Sequence, residues 1–199
     1  TSVDGNVSVM VNPIPAAPTA GSNSPVCSGG TLNLTASAIA GATYSWTGPT
    51  AFSSSTQNPS IAGVPVAATG TYSVTATVGG CTSVAGTTSV TINPSPSTPT
   101  AGSNSPVCSG TNIDLTASTI AGATYSWTGP NAFTSTTQNP SIIGATTLNA
   151  GMYSVTAALA GCTSSPGSVS VTVTNTPSAP TAGSNTPVCD GSTLNLTAS

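Results

Sequence analysis

"TGTYSVTATV", Thr69 to Val78, alternates apolar and hydroxyl-bearing side chains without a break. Successive side chains of an extended chain point to opposite faces, so Tyr72, Val74, Ala76 and Val78 line one face of a strand and Ser and Thr the other. The same period of two recurs in "TLNLTAS" (31–37) at Leu32, Leu34 and Ala36, in "ATYSW" (42–46) at Tyr44 and Trp46, and in "TSVTIN" (88–93) at Val90 and Ile92. Turn signals fall between and beyond these runs: Ser28-Gly29-Gly30, Gly48-Pro49, Asn58-Pro59, Thr69-Gly70, Gly79-Gly80 and, further on, Ser165-Pro166-Gly167. No stretch has a helical period. Short strands at this spacing predict an all-β protein built as an antiparallel β-sandwich.

Working outward, the whole pattern returns 81 residues later. "SNSPVCSGGTLNLTAS" at Ser22 is echoed at Ser103 and Ser184, and Trp46 matches Trp127, Phe52 matches Phe133, Gln57 matches Gln138, Tyr72 matches Tyr153 and Cys81 matches Cys162. A period of this length suffices for a small domain with its own core, longer than the turns of a solenoid. The expected organisation is the C-terminal end of a preceding repeat at 1–16, complete repeats at 17–97 and 98–178, and the start of a following one at 179–199. A start at Thr1 and a stop in mid-repeat are expected of a fragment. Between repeats, "NPIPAAPTA" (12–20), "NPSPSTPTA" (93–101) and "NTPSAPTA" (175–182) read as semi-rigid spacers of about 3.1 Å per residue, the whole forming an extended rod.

Composition removes most chemistry. The 199 residues contain no Lys, Arg or His, and only Asp4, Asp114 and Asp190 are acidic. A 37% hydrophobic content in periodic runs argues against disorder. General acid–base catalysis needs titratable groups brought together, and three aspartates in three repeats with no basic partner exclude it, so no enzyme activity is expected. Asp114 takes the place of Asn33 at an outward strand position. Ca²⁺ needs six to eight oxygens including several carboxylates, so no metal and no cofactor are expected. Nucleic acid is disfavoured without cations to meet phosphate, and no apolar run approaches the roughly 20 residues of a membrane helix.

The strand spacing suggests a more specific architecture. Val26, Gly29, Leu32, Leu34 and Ala36 fall like the A′–B segment of an immunoglobulin-like (Ig-like) domain, Trp46 like its strand C tryptophan, and Gly70-Thr71-Tyr72 like its tyrosine corner. Ala36 and Val74 then stand where antibodies carry their inter-sheet disulfide. "SSSTQNPSI" (53–61) followed by "TGTYSVTATV" resembles a PKD-type signature. "PVCSGGTLNLTAS" with "GGCTS" (79–83) resembles the PKD-like and Ig-like tandem repeats of giant Bacteroidetes cell-surface adhesins, the SprB-type gliding-motility adhesins exported by the type IX secretion system. One departure is Trp46-Thr47-Gly48-Pro49, where many PKD domains carry an acidic turn. The resemblance implies an extracellular, cell-surface filament that serves cell adhesion, with neighbouring repeats, surface polysaccharide or motility machinery as partners. Two functions follow: a structural stalk, or a multivalent polysaccharide-binding or self-associating module that forms a sheath or filament.

Trp46, Tyr72, Trp127 and Tyr153 read as core; Tyr44 could join a sugar-stacking platform but shares their strand phase. Phe52 and Phe133, on a loop, are the candidate glycan contacts. The cysteines remain. Without a CxxC spacing, regular cysteines in an exported chain read as disulfides rather than free thiols or metal ligands. Cys27 with Cys81, and Cys108 with Cys162, is the obvious pairing within repeats. On the Ig-like register those cysteines sit at opposite poles, about 26 Å apart, and a disulfide spans Cα atoms only about 4.4–6.8 Å apart. Head-to-tail stacking favours Cys27 with Cys162 across the spacer, leaving Cys81, Cys108 and Cys189 for repeats outside this chain.

A packed repeat makes a proteolytic prediction. Trypsin has no site and leaves even the denatured chain whole, so a nonspecific protease is the informative reagent. Residues 31–92 of the folded chain are expected to resist it; rapid cutting there would mean the repeat is not packed.

Overall fold

Alternation in the sequence becomes alternation in burial. The structure, a computed structural model, describes Val7 and residues 9–199. Asp4 and part of the expected segment 1–16 lie outside the described residues. Contacts divide the chain into two compact units, Thr1–Ser97 with Ala157–Ser165, and Thr98–Thr156 with Pro166–Ser199.

In the first unit the strands are β1 (Ala20–Ser22), β2 (Val26–Cys27), β3 (Thr31–Ala36), β4 (Thr43–Gly48), β5 (Phe52–Ser54), β6 (Ser60–Ala62), β7 (Gly70–Val78), β8 (Cys81–Thr82), β9 (Gly86–Val90) and β10 (Ile92–Asn93). One sheet runs β1-β3-β6; the other runs β5-β4-β7-β8, with β9 also on β7. These pairs are antiparallel, but β2 pairs with β10 in parallel, Val26 opposite Ile92 and Cys27 opposite Asn93, an exception to the expected antiparallel pattern. The layers meet through alternate side chains. Leu32, Leu34 and Ala36 of one sheet pack with Trp46, Tyr72, Val74 and Ala76 of the other, and Val90 and Ile92 complete the core. Each fully buried Leu or Val contributes about 1.5–3 kcal/mol.

Turn chemistry closes the layers. Gly79 and Gly80 hold left-handed φ of 54° and 83° between β7 and β8. Between β8 and β9 the chain leaves the ladder, and buried Ser83 covers the break: its amide donates to Ala76 O at 2.8 Å and its Oγ accepts from Ala76 N at 3.0 Å. A 3-10 turn at Val66–Ala68 precedes β7, and Tyr72 Oη donates to Ala68 O at 3.0 Å, four residues back, as a tyrosine corner requires.

Two expected turns are strand entries instead. Thr69 is occupied by β10, since its Oγ1 accepts from Ile92 N at 2.9 Å, and Gly70 opens β7 at φ 147° against the ring of Pro49. In the second copy, Ser165-Pro166 is irregular and Gly167 begins a strand. Both reversals look like turns in sequence because Gly marks close approach as well as bending.

The second copy repeats the plan. One sheet joins Ala101–Ser103, Ile113–Ala117 and Ser141–Ile142; the other joins Phe133–Ser135, Thr124–Gly129, Gly151–Leu159 and Cys162–Thr163, with Gly167–Val171 also on Gly151–Leu159. Ile113, Leu115, Trp127, Tyr153, Val155 and Val171 are buried. Val107–Cys108 pairs in parallel with Val173–Thr174, and Ala182–Ser184 pairs with Leu196–Ala198.

The proline segments are shorter as spacers than they read. Pro18 and Pro99 are buried, and a Cβ on Gly86 or Gly167 would come within 1.8 Å of the carbonyl oxygen of Pro18 or Pro99 respectively. At the other side, Ser95 N donates to Ser28 Oγ at 3.0 Å. Most of 93–101 therefore belongs to one copy or the other, because a bare glycine lets the backbone of the proline segment pack directly against it.

Gly48 generates a stability prediction. A Cβ there would stand 2.4 Å from Tyr72 Cδ1, inside a ring held at both ends. Gly48→Ala is expected to destabilise the first unit by about 2 kcal/mol or more, read by chemical denaturation. An unchanged midpoint would mean that Tyr72 is not fixed as described.

Candidate functional site

The sulfur chemistry gathers at one place in the first unit. Cys27, at the end of β2, is bonded to Cys162 with an S–S distance of 2.07 Å and Cα atoms 5.6 Å apart. The two residues are 135 positions apart, so the bond joins β2 of one copy to the hairpin of the next. Asn93 organises this place. Its backbone lies beside Cys27 in the parallel pair and accepts from Ser28 N at 2.8 Å, while its Nδ2 donates to Ala160 O at 3.1 Å. Its own carbonyl oxygen is 3.9 Å from Cys162 Sγ, and Gly161 O is 3.8 Å from Cys27 Sγ. Bonded sulfurs carry no proton, so these last two are contacts. Ala160 and Gly161 make the hairpin turn with left-handed φ of 51° and 79°.

The other cysteines are unbonded. Cys81 is half-buried, and Cys108 and Cys189 are exposed. Neither pairing within a copy, Cys27 with Cys81 or Cys108 with Cys162, is present, because Cys27 and Cys162 have taken each other.

Trp46, Tyr72, Trp127 and Tyr153 are fully buried. Trp46 Nε1 donates to Gln57 O at 3.1 Å, and Trp127 Nε1 to Gln138 O at 3.1 Å. Tyr44 is buried too; its hydroxyl donates to Ser37 O at 3.0 Å and accepts from Ile39 N at 2.8 Å. Phe52 is half-buried with its ring set at 61° to that of Tyr72 and centroids 5.6 Å apart; Phe133 stands likewise on Tyr153 at 5.5 Å. Each therefore shields its tyrosine and shows solvent only part of a ring. A shallow depression of about 330 Å³ in the second unit is lined by Ser126, Trp127, Thr128, Thr134, Ser135 and Thr136, hydroxyls over an indole and no charge.

Asp114 lies exposed on its strand, accepting from Ser141 Oγ and, at 3.5 Å, from Asn104 Nδ2; Asp190 is exposed. Among the described residues no three His, Cys, Asp or Glu side chains cluster as metal ligands would.

Sequence reasoning passed over three amides. Gln57 Nε2 donates to Ala36 O at 2.8 Å and Asn58 Oδ1 accepts from Ala36 N at 2.9 Å, tying the end of β3, the middle strand of its sheet, to the loop that holds Trp46. The third is Asn93. Its signal was an Asn-Pro at both 12–13 and 93–94, replaced by Thr174-Asn175 at the next period.

These features define a class: two Ig-like domains in tandem, all-β. Residues 15–94 match the family model described as an Ig-like domain, CHU_C associated. Ig-like domains are typically extracellular binding or structural modules. Among the described residues no helix is long and apolar enough to cross a membrane. No curated protein matches. Similar solved structures include a mouse coronavirus receptor-binding domain complexed with its murine receptor, at 12% identity over 78% of this chain and 99% of that one, TM-score 0.45. Murine CEACAM1b follows at 15% identity over 78% and 99%, TM-score 0.41. Three N-terminal domains of the Highly Immunogenic Outer Capsid protein of bacteriophage RB49 share 20% identity over 92% of this chain and 68% of that one, TM-score 0.40.

The buried tyrosines generate a pH prediction. Desolvation raises the pKa of Tyr72 and of Tyr153 above the ordinary value of 10.0. Burial disfavours the phenolate, so the stabilisation is complete below the ordinary tyrosine pKa and is lost as pH rises through the folded value. Melting temperature is expected to fall above about pH 10. A Tyr72→Phe, Tyr153→Phe chain should lose most of that alkaline decline.

Proposed function

We propose that this chain is a length of stalk in a secreted, filamentous cell-surface adhesin, with adhesion carried elsewhere in the protein. The observation that supports this reading most directly is the Cys27–Cys162 bond, which links one copy to the next on top of the proline segment. An array closed in this way at each junction resists bending and pulling without Ca²⁺. The cation-free composition adds protease resistance and keeps the surface weakly and evenly negative, which suits an exposed filament. The resemblance to SprB-type proteins extends the proposal to type IX secretion and to gliding motility and surface attachment, with neighbouring repeats as the first partners.

One observation favours the second reading, a multivalent polysaccharide-binding or self-associating module. The shallow hydroxyl-lined depression over Trp127 is uncharged, as a site for neutral sugar would be, and copies would multiply weak binding. On this reading Phe52 and Phe133 are the aromatic anchors of their respective copies.

A length-matched exchange separates the two. In the full-length protein, these repeats are replaced by an unrelated Ig-like array of equal length, and attachment of cells to a surface is measured. A stalk predicts attachment close to that of the original protein. Loss of attachment, together with glycan-array binding of this chain that disappears on Phe52→Ala and Phe133→Ala, would overturn the stalk reading in favour of the second.

A further inference from the structure

The surroundings of the cystine occur twice in the first unit, once with its bond and once without. Asn93 Nδ2 donates to Ala160 O at 3.1 Å, and 81 residues earlier Asn12 Nδ2 donates to Gly79 O at 2.9 Å. Cys162 Sγ lies 3.9 Å from Asn93 O, and Cys81 Sγ donates to Asn12 O at 3.4 Å. Both hairpins turn through two left-handed residues, Ala160-Gly161 and Gly79-Gly80. The difference lies beside the asparagine. Asn93 and Ile92 are flanked by Cys27 and Val26, and Ile92 is only 3% exposed; Val11, which precedes Asn12, is 86% exposed.

We propose that Cys81 is the open half of a second cystine site, set by Asn12, and that its partner is the cysteine of a Pro-Val-Cys strand from another repeat. That strand would lie parallel to Val11-Asn12, as Val26-Cys27 lies parallel to Ile92-Asn93. Recognition is by backbone pairing and by the apolar valine that covers Val11. The sulfur is only the last step. Asn12 is a positioning residue: its side chain fixes the Gly79-Gly80 turn, and through it Cys81, before any partner arrives. Cys108 and Cys189 lack this setting and belong to the other half of the pairing. Cys108 is already strand-paired opposite Thr174, whose Oγ1 donates weakly to Val107 O at 3.4 Å and stands 3.9 Å from Cys108 Sγ. Thr174 replaces the asparagine of the other two positions.

The inference rests on the reading of the chain as one stretch of a cross-linked array, but its test uses the isolated chain and does not depend on where the array works. The native protein, with Cys27–Cys162 intact, is mixed with a peptide of sequence "SNSPVCSGG" (residues 22–30) whose cysteine is activated as a mixed disulfide with thiopyridine. The Cys81 thiolate attacks the peptide sulfur; a new S–S bond forms, the old one breaks, and thiopyridone leaves with the electron pair, so no external oxidant is needed. Absorbance follows the released thiopyridone and non-reducing peptide mapping locates the adduct. Cys81 is expected to capture this peptide about ten-fold faster than an activated peptide of scrambled sequence, a preference worth about 1.4 kcal/mol. Cys108 and Cys189 should show no such preference. Asn12→Ala should abolish it while leaving the scrambled rate unchanged. Equal rates for both peptides at Cys81, or a preference that survives Asn12→Ala, would overturn the proposal. The attachment experiment is untouched by either outcome, so failure here and failure of the stalk reading are separate results.

Discussion

The fold depends on how the Trp46 indole is anchored. Its ring is buried between the two sheets, where antibody domains set a tryptophan against a disulfide, but here the facing positions are Ala36 and Val74. Amides take over the tie that sulfur makes elsewhere. The indole N–H binds Gln57 O, the Gln57 side chain returns to Ala36 O, and Asn58 accepts from Ala36 N. A single short loop thus holds a residue of each sheet. Among the described residues, every buried side-chain nitrogen and oxygen has a partner, as a core with no charges to pair requires.

No longer needed between the sheets, the bonded cysteines sit outside the Trp46 cluster, although Cys162 is itself buried. Cys27 ends a two-residue strand, and Cys162 follows a two-residue turn; neither belongs to the cluster of Leu32, Trp46 and Val74. The sequence separates the two roles in advance, since alternating runs carry the core while cysteines stand in glycine-rich stretches where no alternation exists.

The same division explains what could be read from residues alone. Tyr72, Val74 and Ala76 announce their face because a strand's period is short and every second residue must be apolar. Trp46 and the tyrosine corner follow from distance along those strands. The turn-like Thr69-Gly70 misleads, since only the position of Pro49, folded from elsewhere, decides that Gly70 is there to admit a ring. Pro18 and Pro99 mislead for a related reason: their burial depends on bare Gly86 and Gly167, nearly 70 residues on. Asn93 was hidden most deeply. An asparagine before a proline is an ordinary strand end, and nothing local says that its side chain reaches the hairpin of the next copy.

A bond between residues 135 positions apart also alters how the polypeptide carries load. Tension applied outside Cys27 and Cys162 passes from sulfur to sulfur, and everything between them becomes a slack ring. Tyr72, the strands around it, the proline segment and most of the following copy lie within that ring. They can open and close without lengthening the path between the two cysteines, and a lost hydrogen bond there adds no slack to it. Between Cys27 and Cys162 the limit to extension is therefore the covalent bond, while folding stability sets how well the ring keeps its shape.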